Sequence, residues 1–174
     1  VFDECTKLIV RQVERLQQMV TEFSSYAKLP EAVPKPDFLA PVLEEVVALF
    51  ETSHRQIAWK MVFKTPIQEL PFDREGLRRV FINLLTNAAE ALEGRDDGEV
   101  VVTAAEDRDA GRVRVAVADN GPGFSPQESA RMFEPYFSSK KGGTGLGLTI
   151  VRSIINDHKG RISVAPNSPT GSVF

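Results

Sequence analysis

The stretch Lys140-Lys-Gly-Gly-Thr-Gly-Leu-Gly-Leu-Thr-Ile150 places four glycines within six residues, directly before an apolar run of helical character. Glycines let a backbone approach a ligand closely, and the free N–H groups and dipole at a helix start favour phosphate. A nucleotide is the natural ligand class. The two best-known phosphate loops nevertheless fail, because no Gly-Lys-Ser/Thr follows and Gly143-Thr-Gly-Leu-Gly147 lacks the third glycine of a dinucleotide fingerprint.

Three further clusters could complete a site. In Arg78-Arg-Val-Phe-Ile-Asn-Leu-Leu-Thr-Asn-Ala-Ala-Glu-Ala-Leu92, helical spacing puts Leu77, Val80, Leu84, Ala88 and Ala91 on a buried face, with Arg79, Asn83, Asn87 and Glu90 on an adjacent stripe. Asparagine competes for backbone hydrogen bonds and is a poor mid-helix residue. Two of them one turn apart either cap neighbouring loops or offer one amide oxygen to Mg2+ and a second group to a phosphate or water. Asp119 stands where an alternating strand ends and Gly121 and Gly123 begin. A carboxylate there can accept from an exocyclic amine while the glycines let a base lie on the backbone, although an ordinary strand exit reads the same. In Met132-Phe-Glu-Pro-Tyr-Phe-Ser-Ser-Lys-Lys141, Phe133 and Phe137 flank a proline, as a plug on the core or part of a lid.

The elements that must hold these clusters follow from the pattern. Ile9, Val13, Leu16, Val20, Phe23 and Ala27 alternate spacings of four and three, widened by Leu8, Met19 and Tyr26, which is a heptad seam on a helix from about Val1 to Lys28. That rod, about 40 Å long, needs a partner helix or a second copy to bury its stripe. Three prolines in Leu29-Pro-Glu-Ala-Val-Pro-Lys-Pro36 break it. A helix at about Asp37 to His54 uses Val42, Val46, Leu49 and Phe50, and an alternating strand runs from Ile57 to Phe63. The Asn-bearing helix spans about Asp73 to Glu93, capped by Asp73 with Glu75 in its first turn. Strands at about Glu99 to Ala105 and Arg112 to Ala118 flank the loop Asp107-Arg-Asp-Ala-Gly111. The segment from Asn120 to Gly143 is too long for a plain connection, and its aromatic residues suit a lid. A helix at about Leu146 to His158 and a strand from Gly160 to Ala165 close the pattern. Helices interspersed with mostly antiparallel strands make an α+β fold, a two-layer α/β sandwich with a mixed sheet covered by helices on one face.

Composition narrows the function classes. A formal net charge of −3 over 174 residues disfavours a nucleic-acid partner, and no run of sequence is long and apolar enough for a membrane span or signal peptide. One cysteine, Cys5, excludes an internal disulfide, and with two histidines it argues against structural zinc. The chain opens mid-helix without methionine and stops on what reads as a strand start, so it is expected to be a piece of a longer protein, cut in its last strand.

The order of the clusters resembles the N, G1, F and G2 boxes of the ATP-binding domain of sensor histidine kinases, within the superfamily shared with DNA gyrase, mismatch-repair and heat-shock chaperone ATPases. The boxes here are Asn83-Leu-Leu-Thr-Asn87, Asp119-Asn-Gly-Pro-Gly123, Phe133-Glu-Pro-Tyr-Phe137 and Gly143-Thr-Gly-Leu-Gly-Leu148. Details of the N and G2 boxes look most like the nitrogen-regulation type of sensor kinase, some members of which are membrane-anchored. The resemblance implies that Asp119, with Gly121 and Gly123, receives the adenine amine and that Asn87 holds Mg2+. It also implies that Phe133 and Phe137 belong to the lid, and that Gly143, Thr144, Gly145, Leu146, Gly147 and Leu148 lie along the triphosphate of ATP, with Lys140 on the γ-phosphate. In related ATPases the residue four before the magnesium asparagine is typically the glutamate that activates water. Here it is Asn83, whose amide cannot take that proton, so ATP is expected to be kept for a protein nucleophile. Many related kinases carry a basic residue where Glu90 stands.

By the same resemblance, residues 1–29 are the second helix of a dimerisation and histidine-phosphotransfer hairpin, 30–36 a linker and 37–174 the catalytic domain. The phosphoacceptor belongs on an absent first helix. Neither His54, before Arg55-Gln56, nor His158, before Lys159-Gly160, has the acidic neighbour the family uses, and His158 is expected to cap its helix. The implied partners are a response regulator and a second copy of the intact protein, with no membrane contact by this stretch and a cytoplasmic location.

Overall fold

The computed structural model describes residues 32–107, 110–140 and 143–174, together with Thr6, Ile9, Val10, Gln12, Val13, Gln17 and Val20. Those seven early residues are helical and exposed, and Ile9, Val13 and Val20 of the expected seam are among them. Leu16, Phe23 and Ala27, and the expected helix as a whole, lie outside the described residues.

From residue 32 onward the order is β1 (Lys35–Asp37), α1 (Leu39–Ser53), β2 (Ala58–Phe63), β3 (Leu70–Phe72), α2 (Arg74–Ala91), β4 (Glu99–Asp107), β5 (Arg112–Asp119), α3 (Pro126–Arg131), α4 (Gly147–Asp157), β6 (Ala165–Pro166) and β7 (Ser172–Val173). Five strands form one sheet in the order β2-β4-β5-β7-β6. Its β2–β4 pair is parallel, with Ala58 opposite Glu99, because the chain crosses over through α2 between them. The remaining pairs are antiparallel, β4 and β5 as a hairpin running from Val100↔Asp119 to Asp107↔Arg112.

Alternation along β4 decides which face is covered. Val100, Val102 and Ala104 are buried, while Val101, Thr103 and Ala105 between them are half-buried on the opposite face. The buried row meets Leu39, Val42, Leu43, Val46, Val47 and Phe50 of α1, the Leu77, Val80, Phe81, Leu84, Leu85 and Ala88 face of α2, and Ile150, Val151 and Ile154 of α4. This is the expected two-layer arrangement. Leu49, expected on the buried face of α1, is half exposed, because Leu39, Leu43 and Val47 turn the apolar stripe away from it.

Two local departures have physical causes. Lys35 and Pro36, assigned from sequence to the linker, pair with Phe72 and Pro71 in a small antiparallel sheet. The strand expected from Gly160 to Ala165 is present only at Ala165–Pro166. The β6–β7 ladder consists of Ala165↔Val173 and Pro166↔Ser172, and residues 160–164 have no ladder partner among the described residues.

The start of α2 is a junction. Asp73 accepts from Gly76 N at 2.9 Å as the N-cap and from Val33 N at 3.2 Å through its other oxygen. Its own N–H donates to His158 Nε2 at 2.9 Å, and His158 Nδ1 lies 2.7 Å from the Ile154 carbonyl that it closes. His158 therefore caps α4, as expected, and also ties that end to the start of α2. The two helices run antiparallel, so the start of the shorter α4 lies against the middle of α2, Gly147 on Asn83.

The cap hydrogen bond from Gly76, with the further one from Val33, holds the Asp73 carboxyl below its usual range. A depressed folded value means that the stabilisation is complete above about pH 4, the unfolded value, and is lost as pH falls through the folded one. Asp73→Asn keeps an acceptor for the cap, so it should fold but flatten the acid limb of stability against pH below about 4. Asp73→Ala should cost about 1 kcal/mol at neutral pH. Urea titrations across pH read both.

Candidate nucleotide site

Asp119 is the last residue of β5 and only 3% exposed. Its Oδ1 accepts from Gly121 N at 2.8 Å and from Ser172 N at 3.3 Å, and its carbonyl accepts from Asn167 Nδ2 at 2.8 Å. Burial pushes the carboxyl above its usual range, against the lowering effect of those N–H groups and of the Lys140 charge. A carboxylate kept dehydrated at a strand end, with few partners of its own, is suited to a ligand donor. Gly121 lies under it, where a Cβ would sit 2.8 Å from Oδ1 and 3.2 Å from the Ala91 Cβ.

The stripe on α2 runs from the junction to this end. Asn83 is half-buried, and its Nδ2 donates to the Arg79 carbonyl at 2.9 Å, so its Oδ1 is the free end. A Cβ on Gly147, the first residue of α4, would meet that oxygen at 3.0 Å. One turn on, the half-buried Asn87 side-chain amide makes no hydrogen bond among the described residues, while its carbonyl accepts from Lys140 Nζ at 3.2 Å. Lys140 also pairs with Glu90 at 2.6 Å. The lid lysine thus lies on the N box, across about fifty residues of sequence.

Lid and glycine loop meet backbone to backbone. Tyr136 N donates to the Gly145 carbonyl at 3.1 Å, and Thr149 Oγ1 donates to the Phe133 carbonyl at 3.4 Å. Gly145 adopts φ +69°, and a Cβ there would overlap the Tyr136 carbonyl and come within 2.6 Å of Phe137 N. Tyr136 itself is held at φ 64°, a conformation that non-glycine residues rarely adopt. Phe133 and Phe137 are half-buried, the latter beneath the Arg131 guanidinium at 4.6 Å. Thr144 Oγ1 accepts from Leu146 N at 3.4 Å, Leu146 is buried, Leu148 packs on the core, and Gly143 lies beside Ser138. Gly123 faces the Gly171 carbonyl.

The structure therefore brings the four clusters to one end of the α2–α4 pair. Sequence reading missed Ser172 and Asn167, which hold Asp119 from the C-terminal hairpin, and no local signal marks them. It also missed α3, whose Ser125-Pro-Gln-Glu128 start is a capping box, Glu128 N reaching Ser125 Oγ at 3.2 Å and Ser125 N reaching the Glu128 carboxylate at 2.7 Å. That signal was available in the sequence.

Residues 72–174 match the family described as histidine kinase-, DNA gyrase B- and HSP90-like ATPase. The chain belongs to this family. Among relatives, it is 34% identical to nitrogen regulation protein NtrY of Azorhizobium caulinodans over 94% of this chain and 22% of NtrY. Among solved structures, histidine kinase ShkA in complex with AMPPNP superposes with a TM-score of 0.82 at 28% identity, over 100% of this chain and 38% of that one. Histidine kinase ThkA in complex with response regulator protein TrrA superposes with a TM-score of 0.79 at 30% identity, over 96% of this chain and 48% of ThkA. The chain spans between about a fifth and a half of the curated relatives it matches. ATP binding belongs to the family, as does the helix-covered mixed sheet.

The donor set bears on Mg2+. Among the described residues no group of three or more His, Cys, Asp or Glu side chains gathers to hold a metal. Mg2+ characteristically keeps its waters, takes one or two protein oxygens and shares phosphate oxygens. The free Asn87 amide fits that partial role, and only that one.

Gly145→Ala should separate lid from loop. The added Cβ meets backbone, and the left-handed conformation adds about 1 kcal/mol of strain. The melting temperature should fall, and amide exchange at Tyr136 should accelerate while the β4–β5 amides stay protected, as read by hydrogen exchange.

Proposed function

We propose that this chain is the ATP-binding catalytic region of a sensor histidine kinase of the nitrogen-regulation type, which passes the γ-phosphate of Mg·ATP to a histidine on another helix of the intact protein. The phosphoryl group would then go to a response-regulator aspartate. The observation that carries the reading is the buried, dehydrated Asp119 carboxylate on the same wall as a free Asn87 amide, with Lys140 brought across from the lid. The likeness to ThkA, solved with a response regulator, supports that class of partner. The intact protein would act as a homodimer through its helical hairpin, with this region in the cytoplasm.

Each group has a role. Asp119 accepts from the adenine amine over Gly121 and Gly123. Asn87 would offer its amide oxygen to Mg2+, whose contribution would be to neutralise phosphate charge in the transfer. Gly143, Gly145 and Gly147 give the triphosphate backbone access at the start of α4, with Thr144, Leu146 and Leu148 setting the loop, and Phe133 and Phe137 anchor the lid. Lys140 supplies a cation to the γ-phosphate. The acceptor imidazole nitrogen forms the new N–P bond as the bridging P–O bond breaks and ADP leaves. Asn83 cannot take a proton from water, so hydrolysis loses the base that clamp ATPases of the superfamily use.

Neither described histidine is suited to be the acceptor. His158 has both ring nitrogens engaged, at Asp73 N and the Ile154 carbonyl. His54 stacks on Phe50 at 5.4 Å with Nδ1 against Ser53 Oγ at 2.9 Å, at the far end of α1. Incubation with Mg·ATP should leave both free of acid-labile phosphate by mass spectrometry, and phosphate on either would overturn the assignment.

Calorimetric titration with Mg·ATP tests the pocket. Saturable binding is expected. Asp119→Asn removes a buried charge that opposes folding, so it should leave the melting temperature equal or higher while abolishing binding, because its amide donor faces the adenine amine. In the parent, affinity should begin to fall with decreasing pH above the ordinary carboxylate range, as the raised Asp119 group takes a proton. Asn87→Ala should make binding insensitive to Mg2+. A folded parent that binds no nucleotide would reduce the reading to ancestry.

A further inference from the structure

Lys140 and Glu90 form a pair that the pocket roles above leave without a function. We propose that Glu90 is a positioning residue, which holds the lid lysine Lys140 over the last turns of α2 so that the cation is in place before nucleotide arrives. The inference rests on the nucleotide-site reading.

Three observations carry it. The Lys140 ammonium has three donors, of which one meets Glu90 Oε2 at 2.6 Å and one the Asn87 carbonyl at 3.2 Å. The third remains for a phosphate, so the pair need not break when ligand binds. Secondly, α2 has no basic residue in its last turn. Its last turns, which meet Gly121 at Ala91 and Lys140 at Asn87 and Glu90, carry the negative pole of the helix dipole, which disfavours phosphate. Lys140 brings from the lid the cation that the helix lacks, and Glu90 fixes where it lands. Thirdly, the Lys140 side chain is 42% exposed, so its partners on α2, and not burial, hold the ammonium at the site.

Glu90 also carries a negative charge that opposes phosphate, and the two effects must be weighed. Its side chain is 51% exposed. The direct repulsion, which acts over the longer distance to a phosphate, is therefore screened by salt more than the 2.6 Å contact that fixes a long, flexible lysine. Positioning should win at low and at high salt.

The test is the ratio of Mg·ATP to Mg·ADP affinity, measured by calorimetry on the whole chain at about 0.15 M and about 0.5 M salt. Lys140→Met should lower the ratio about tenfold. Glu90→Ala should lower it about threefold at both salt concentrations with ADP binding unchanged, and Glu90→Gln, which keeps an acceptor, should fall between Glu90→Ala and the parent. On the Lys140→Met background, Glu90→Ala should cost nothing further. Melting curves establish that each variant is folded. A Glu90→Ala ratio equal to or above the parent's overturns the proposal, as does an equal loss of ATP and ADP affinity or an undiminished cost without Lys140. No nucleotide binding by the folded parent would overturn the functional reading and this inference together.

Discussion

A carboxylate buried at the end of β5 sets the terms for the ligand side of this domain. Keeping Asp119 dehydrated raises the free energy of its charged form, and the fold offsets that with N–H groups from Gly121 and Ser172. To deliver Ser172 the chain must return after α4 and lay β7 beside β5, Val173 opposite Ala118. Gly171 is pressed so closely on the Asp119 carbonyl that no side chain fits. Asn167 completes the wrap at that same carbonyl. The short C-terminal hairpin is therefore shaped around the carboxylate and the carbonyl of one residue, although it stands about fifty residues away in sequence. A domain optimised for stability alone would put an apolar or amide residue there.

The α2–α4 pair converts that wall into a site. At one end, Asp73 and His158 fix the relative depth of the two helices through backbone N–H and carbonyl partners. The same end opens into a cleft of about 340 Å³ that includes Ala32, Asp73, Arg79 and His158. In the first turn of α2, Gly76 lets Ile154 approach, since a Cβ would lie 3.3 Å from its methyl group. Half-way along α2, Gly147 brings the start of α4 onto Asn83. Small residues at both crossings allow the close approach, so the glycine loop, Asn83 and Asn87 share one rigid frame.

What the sequence made legible follows from range. Asp73 as cap, the Asn83–Asn87 stripe, the strand exit at Asp119 and the helix start at Gly147 are each set within a turn or two of chain. Their types and spacing carry the information. Ser172 and Asn167 act across the sheet, and nothing in their neighbours announces it. The β1–β3 pair was hidden by prolines, which are tolerated because a strand of three residues at a sheet edge can spare the missing donor. The short helix at Pro126 was overlooked within a segment read as one lid, although its capping box is local. Residues 160–164 alternate as a strand should, but alternation is only one condition, and a ladder also needs a partner in register.

Geometry as well as residue type sets Asn83 apart from a water-activating base. An asparagine at position 83 could in principle orient a water even without taking its proton. Its Nδ2, however, is already committed to the Arg79 carbonyl, and its Oδ1 faces the backbone of Gly147. The side chain is thereby occupied in seating α4 against α2. Restoring a glutamate would place a longer, charged group against that same backbone, where Gly147 leaves 3.0 Å for even a Cβ. A glutamate there would press on the start of α4, the helix N-terminus proposed to face the phosphates. At the position where hydrolytic relatives are expected to carry a water base, this chain has a side chain that packs α4 against α2, which is consistent with the proposed transfer to a protein nucleophile.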